Sequence, residues 1–219
     1  MENHPISKHE ALSPEERFAE LYEGAVLSSI SYDELPNAAA LHFECRAKLL
    51  VSPEEYQPKN FSHIYLLTHP DGRKTYVAEH EKSFGEGEKD QWVYFADYEG
   101  DTMAGYGDLV NNIESLHKEN MIGKPYTNFT RTYKADDEGG GGQDFRGKGF
   151  GQRRIIEMNA YAQARFGYTL HSSSFIKPDQ DANGLSAPER IWERLVQEGK
   201  AESFVEGKGE DAQTRYRMR

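Results

Sequence analysis

The residues whose spacing carries the most chemistry are Phe145–Gln152, F-R-G-K-G-F-G-Q, which run straight into a helix-like stretch, Arg153–Phe166. Three glycines, Gly147, Gly149 and Gly151, alternate with Lys148 and Phe150 behind Arg146. Glycine lets a backbone adopt positive φ and approach a ligand closely. A helix start adds unpaired N–H groups and the positive end of the macrodipole. Together they form an anion cradle, best suited to a phosphate or diphosphate. A glycine-rich turn that merely joins a strand to a helix is the plain alternative, and these eight residues leave both open.

Known phosphate loops narrow the choice. The P-loop needs G-x-x-x-x-G-K-[ST], but Lys148 is followed by Gly149 and no hydroxyl stands ready to hold magnesium. The dinucleotide fingerprint G-x-G-x-x-G fits Gly147 and Gly149 and then meets Gln152. The pattern R-x-x-G-x-G is filled without mismatch by Arg146, Gly149 and Gly151.

At these residues the chain resembles the GNAT superfamily of acetyl-CoA-dependent N-acyltransferases, whose [QR]-x-x-G-x-[GA] loop binds the CoA pyrophosphate. Asn183, Ala187 and I-W-E-R-L (191–195) resemble the family's later N-x-x-A…LYEKL block. The likeness covers 126–219. It implies an α+β fold of α/β-like order, with a mixed, splayed sheet flanked by helices; the strand-rich N-terminal half of this chain is enlarged beyond the family's usual pattern. It also implies acetyl-CoA as co-substrate without a metal. Arg146, Gly147, Lys148, Gly149, Phe150, Gly151, Gln152 and Arg153 would hold the cofactor, and the amine of a small molecule or protein would accept the acyl group.

Acyl transfer to an amine requires that the amine lose a proton and that the thiolate gain one. Base candidates are Glu138 and its neighbours Asp136 and Asp137, for which a solvated acidic turn is the plain reading. Acid candidates are His171, Ser172 and Tyr168 on the following strand, and Tyr133. A structural histidine is an equal reading of His171. The other seven histidines lack metal-ligand spacing. Trp192 stands where the resemblance puts a tyrosine acid, and its indole cannot protonate a thiolate; it reads as packing. That departure supports a second reading, a non-catalytic binding or inhibitory protein on the same scaffold.

The elements that must position these residues follow from periodicity and punctuation. Ser13-Pro14-Glu15-Glu16 is a capping box, predicting a helix over 14–28 after a loose tail, 1–12. Leu41–Val51, Phe61–Thr68, Lys74–Glu81 and Gln91–Tyr98 read as strands, with a tight turn at His69–Gly72. Ser83–Asp90 and Asp101–Gly107 read as irregular and Leu109–Asn120 as a short helix. Tyr126–Lys134 is a strong strand. Ala135–Gln143, with four consecutive glycines, is expected to move freely because nothing in it can pack. The loop's helix ends at Gly167. Tyr168–Phe175 reads as a strand, the capping box from Ser186 as the start of another helix, and Ala201–Val205 with Gln213–Met218 as a closing hairpin. A strand–helix–strand crossover implies a parallel pair with the loop at the carboxyl end of its first strand. Residues 13–219 read as one domain.

Composition bounds the partners. The chain has 219 residues and a formal net charge of -11, which argues against a nucleic-acid partner using Lys148, Arg153 and Arg154. The polar N-terminus lacks a signal-peptide core and no apolar run is long enough to span a bilayer, so no membrane partner and a cytoplasmic setting are expected. The single cysteine, Cys45, excludes an internal disulfide and reads as core filler. Acceptor recognition or homodimer formation remain as roles for residues 37–120.

Overall fold

The computed structural model describes residues 12–50, 57, 60–83, 88–115, 122–173, 187–207, 209 and 212–219. Among these, nine strands form one sheet in the order β1-β2-β3-β4-β5-β6-β7-β9-β8. They are β1 (Val26–Ser29), β2 (His63–Thr68), β3 (Lys74–Ser83), β4 (Glu88–Glu99), β5 (Thr102–Ser115), β6 (Tyr126–Thr132), β7 (His171–Ser172), β8 (Ala201–Glu206) and β9 (Gln213–Met218). The helices are α1 (Pro14–Leu21), α2 (Asn37–Lys48), α3 (Phe150–Phe166) and α4 (Ala187–Gln197). The fold is α+β with a mixed, open sheet, as expected.

Among the described residues every pairing between named strands is antiparallel except β6 with β7, the parallel pair that the crossover through α3 requires. That pair is short: among the described residues only Tyr126↔His171 and Thr127↔Ser172 are in register. A bulge at Asn128, between Asp108↔Phe129 and Leu109↔Thr127, bends β6 just beyond it. From there, among the described residues, β6 continues alongside β5 alone, so the sheet forks.

Two hydrophobic cores flank the sheet. One packs α1, α3 and α4 through Phe18, Ile155, Met158, Trp192 and Leu195 onto Val77, Val93, Phe95 and Tyr216. The other packs α2, through Ala39, Phe43 and Ala47, onto Ala78, Tyr94 and Ala96 on the opposite face, and includes Phe145 and Phe150.

α3 is mounted on its face by an unusual polar seam. Arg154 is fully buried and donates to Asp97 Oδ2 through Nε at 2.8 Å and Nη2 at 2.5 Å, and to Thr130 Oγ1 at 2.6 Å. Further along, Tyr161 and Arg165 both donate to Glu79 Oε1, at 2.6 and 2.9 Å. Gly105 and Gly107 make room for this helix. A Cβ on Gly105 would lie 2.4 Å from both Arg154 Nη2 and the Arg131 carbonyl oxygen, and one on Gly107 would lie 2.8 Å from Met158.

Several expectations are corrected. The first helix stops at Leu21, and 26–29 is strand. The apolar run 41–50 belongs to α2, not a strand. Its alanines favour helix, and Ala39, Phe43 and Ala47 bury one stripe at i, i+4, i+8. Cys45 is exposed on that helix rather than filling the core. The segments read as irregular (101–107) and helical (109–120) are β5 through Ser115. Its glycines disguise a strand that needs bare backbone under α3. β4 begins at Glu88, inside a stretch read as loop. Residues 1–11, 116–121 and 174–186 lie outside the described residues, and with them the tail, the rest of that helix, the end of the strand after Tyr168, Asn183 and the Ser186 cap. No described helix is long and apolar enough to cross a membrane.

Candidate functional site

The glycine loop sits at the carboxyl end of β6. Phe145 N–H donates to the Tyr133 carbonyl at 3.0 Å, which closes 134–144 into a compact excursion before the loop. That excursion is folded, against expectation. Glu138–Gly140 makes a 3-10 turn, Gly140 is buried, and a Cβ on Gly139 would sit 2.5 Å from the Tyr133 ring. The glycines pack because they present bare backbone to an aromatic face.

Gly147 (φ 75) and Gly149 (φ 83) are left-handed, and nothing lies within 4 Å of where either would carry a Cβ. Gly149 is the N-cap of α3 and supplies no side-chain acceptor, so the first helical amides point outward uncapped. A left-handed residue followed by helical ones turns successive N–H groups into a concavity for an anion. Gly151 has a second job. A Cβ there would lie 2.7 Å from Ile191 Cδ1, so its bareness lets α3 and α4 approach.

These residues open onto a cleft of about 480 Å³ lined by Gly147, Gly149, Gly151, Thr130–Thr132 of β6 and the start of α4. The cleft therefore runs from the loop along the stretch of β6 that has left β7. Between Thr132 and the fork at Thr127 lie five residue steps, about 17 Å of strand.

The cations around it differ from the expected set. Arg146 lines the cleft and is held by Asp144, Nη2 to Oδ2 at 2.6 Å. This contact keeps the Asp144 carboxyl down at about 2. Lys148 pairs with Glu99 at 3.0 Å. Both pairs are solvent-exposed and weak enough to exchange for a ligand. Gln152 lines the cleft and bonds Glu198 at 2.7 Å. Phe150 is buried beneath the loop against Phe145.

Arg153 turns away from the cleft. Its Nε lies 2.9 Å from Glu157 Oε1 and its guanidinium 4.9 Å over the Phe150 ring. The Glu157 contact is close but misaligned, and neither group has a hydrogen-bond partner at those atoms among the described residues. Burial first, and then the neighbouring Asp97 charge, push the Glu157 carboxyl up to about 8, with Arg153 pulling more weakly the other way. Nearby His69 is lowered to about 4, chiefly by burial. In place of Arg153 the cleft gains Arg131, Arg190 and Arg194. Arg190 and Arg194 stand one helical turn apart on α4, a spacing readable in the sequence. Arg131 could be assigned only with the bulge known.

The three catalytic candidates do not converge. Glu138 is exposed on its turn. Tyr133 is buried beside Tyr106, and burial raises its phenol. His171 lies at the opposite end of β6 and β7, where it lines a separate depression. Asp136 and Asp137 are tied to Lys134 and Arg131 at 2.9 and 2.7 Å. Ser172 Oγ accepts from Tyr216 N–H, Tyr168 packs beside Gly123, and Trp192 is buried and stacked on Tyr216. Among the described residues no group of three or more His, Cys, Asp or Glu side chains is placed to hold a metal ion. Comparison with family models, with curated proteins and with solved structures found no match.

Proposed function

We propose that this chain is an acyl-CoA-dependent N-acyltransferase that moves an acetyl or other small acyl group to an amine. One observation carries the reading: an uncapped helix start, preceded by left-handed Gly147 and Gly149, opens onto a cleft that follows β6 back to Thr130, three residues short of the fork in the sheet. The amides of the first turn of α3 would receive a diphosphate. Arg146, Arg131, Arg190 and Arg194 would offset its charge, the guanidinium fork suiting phosphate oxygens. An extended pantetheine arm matches the length of β6 between loop and fork, so the thioester would reach the fork with water excluded by α4.

The test exploits the open space at Gly149. Asn and Asp have nearly the same shape and both tolerate the left-handed region, so only charge separates Gly149→Asn from Gly149→Asp. Calorimetry with acetyl-CoA is expected to show Asn binding within a few-fold of wild type and Asp at least about tenfold weaker, one unfavourable charge contact. No binding by the wild-type protein defeats the proposal. Trp192 favours a second reading, a protein that binds CoA without turnover, because its buried indole leaves no acid at that point. Release of free CoA with any amine excludes it.

A further inference from the structure

On the face of the sheet opposite α3 and α4, the C-terminal strands carry a second depression of about 270 Å³, lined by Lys124, His171, Phe204, Glu206, Arg215 and Arg217. The registers dictate this grouping. His171 faces Arg217 and Phe204 faces Arg215, so all four project to one side, while Tyr216 and Met218 project into the core on the other.

The depression is wired to the fork. Arg215 is buried, and its Nε and Nη2 donate to the Ser172 carbonyl at 3.2 and 2.5 Å. Ser172 is the last residue of β7 and half of the final β6–β7 pair. At this point a guanidinium replaces a neighbouring strand, and the same arginine forms the wall of the depression.

Its chemistry is the reverse of the whole molecule's. Three cations stand against Glu206, which bonds Arg215 Nη1 at 2.9 Å, and against Glu202 just outside, which grips Arg217. Phe204 gives an apolar wall, in edge contact with the His171 ring. His171 Nδ1 lies 3.0 Å from the Thr169 carbonyl oxygen. A carbonyl only accepts, so Nδ1 carries the proton and the neutral ring keeps its lone pair on Nε2. Burial, with Arg217, Lys124 and Arg215 adding and the Thr169 carbonyl pulling the other way, lowers the His171 pKa.

We infer that this depression is the acceptor pocket of the proposed transfer, and that the acceptor is a primary amine bearing a carboxylate beside an apolar group, as an amino acid does. The inference rests on the acyltransferase reading for the role of the pocket. Arg217 and Lys124 take the carboxylate, Phe204 the apolar group. In the transfer the amine nitrogen bonds to the thioester carbonyl carbon as the carbon–sulfur bond breaks. The amine attacks in its neutral form; one of its protons passes to His171 Nε2, and the imidazolium so formed returns that proton to the departing thiolate.

The experiment compares L-phenylalanine, L-phenylalaninamide and phenethylamine, which share ring and amine and differ only in the carboxylate. Each is titrated into the full chain without CoA while the ¹⁵N-labelled His171 ring is followed by NMR. L-phenylalanine is expected to bind at least about tenfold more tightly than the other two, the weight of one charge-assisted contact. Lys124→Gln with Arg217→Gln, both at exposed positions, is expected to erase that preference while the fold is kept. With acetyl-CoA present, release of free thiol is expected to follow the same order. An unmoved His171 resonance, equal affinities, or a preference that survives the double variant overturns the inference. Acetyl-CoA titrated alone reports on the loop separately. Its failure to bind, with the carboxylate preference intact, removes the acceptor role and the proposed function together and leaves an anion pocket.

Discussion

Replacing Asp97 by Ala tests whether the Arg154–Asp97 pair is what seats α3. The pair is wholly inside the protein: Arg154 is 0% and Asp97 1% exposed at the side chain. Alanine would strand a guanidinium with, among the described residues, only Thr130 Oγ1 as an acceptor. Breaking one half of such a pair costs about 3–5 kcal/mol, because an unmatched charge stays in low dielectric. Out of a total of about 5–15 kcal/mol, that is a large share. In urea it corresponds to a midpoint lowered by about 1–2 M. The companion variant Asp97→Leu/Arg154→Met removes both charges and is expected to be more stable than either single change, since an apolar pair of similar volume is often neutral or better. The effect should extend to ligand, because Arg154 ties the helix behind the glycine loop to Thr130 on the cleft wall. Acetyl-CoA affinity measured on still-folded Asp97→Ala should therefore fall. A midpoint shift under about 0.5 M, or a double variant weaker than both singles, would refute the account of how α3 is held.

Three further outcomes follow from the same geometry. Gly105→Ala should destabilise severely, by about 3 kcal/mol or more in thermal or urea unfolding, since its Cβ would meet backbone oxygen at 2.4 Å. Gly151→Ala should cost far less, its Cβ meeting only the movable end of Ile191 at 2.7 Å. Stability should fall as pH rises from 6.5 to about 8. Above 6.5 the buried His69 and the half-buried His42, both lowered to about 4, have already given their full contribution. Glu157, raised to about 8, favours the folded state while protonated and loses that advantage as pH climbs from 4.5 through 8. Glu157→Gln should flatten urea midpoints over that window, and an unchanged slope would reject the assignment.

The sequence showed most clearly what depends on local chemistry. The Ser13 capping box, the His69–Gly72 turn, the α3 stop at Gly167 and the closing hairpin are each specified within a few residues, and the structure has them all. β5 and α2 were hidden for opposite reasons. Gly105 and Gly107 weaken a strand pattern because a distant helix needs the space, whereas α2 buries a narrow alanine-rich stripe beneath a generally apolar run. At the site, the positive-φ glycines could be read directly. The direction of Arg153 could not, because the buried Glu157 and the Asp71 carboxylate 3.7 Å away draw it to the far side of the helix.

Among the described residues two residue pairs are all that join β6 to β7. Six strands on one side and the last hairpin with its neighbour on the other are thus two leaves sharing a very narrow spine. Parting them would break little main-chain bonding, while the large antiparallel block from β2 to β5 stayed whole. A guest lying between the leaves would supply contacts that the chain leaves unmade, so occupancy and rigidity should rise together, with slowed amide exchange at Thr127 and Ser172 as the visible sign.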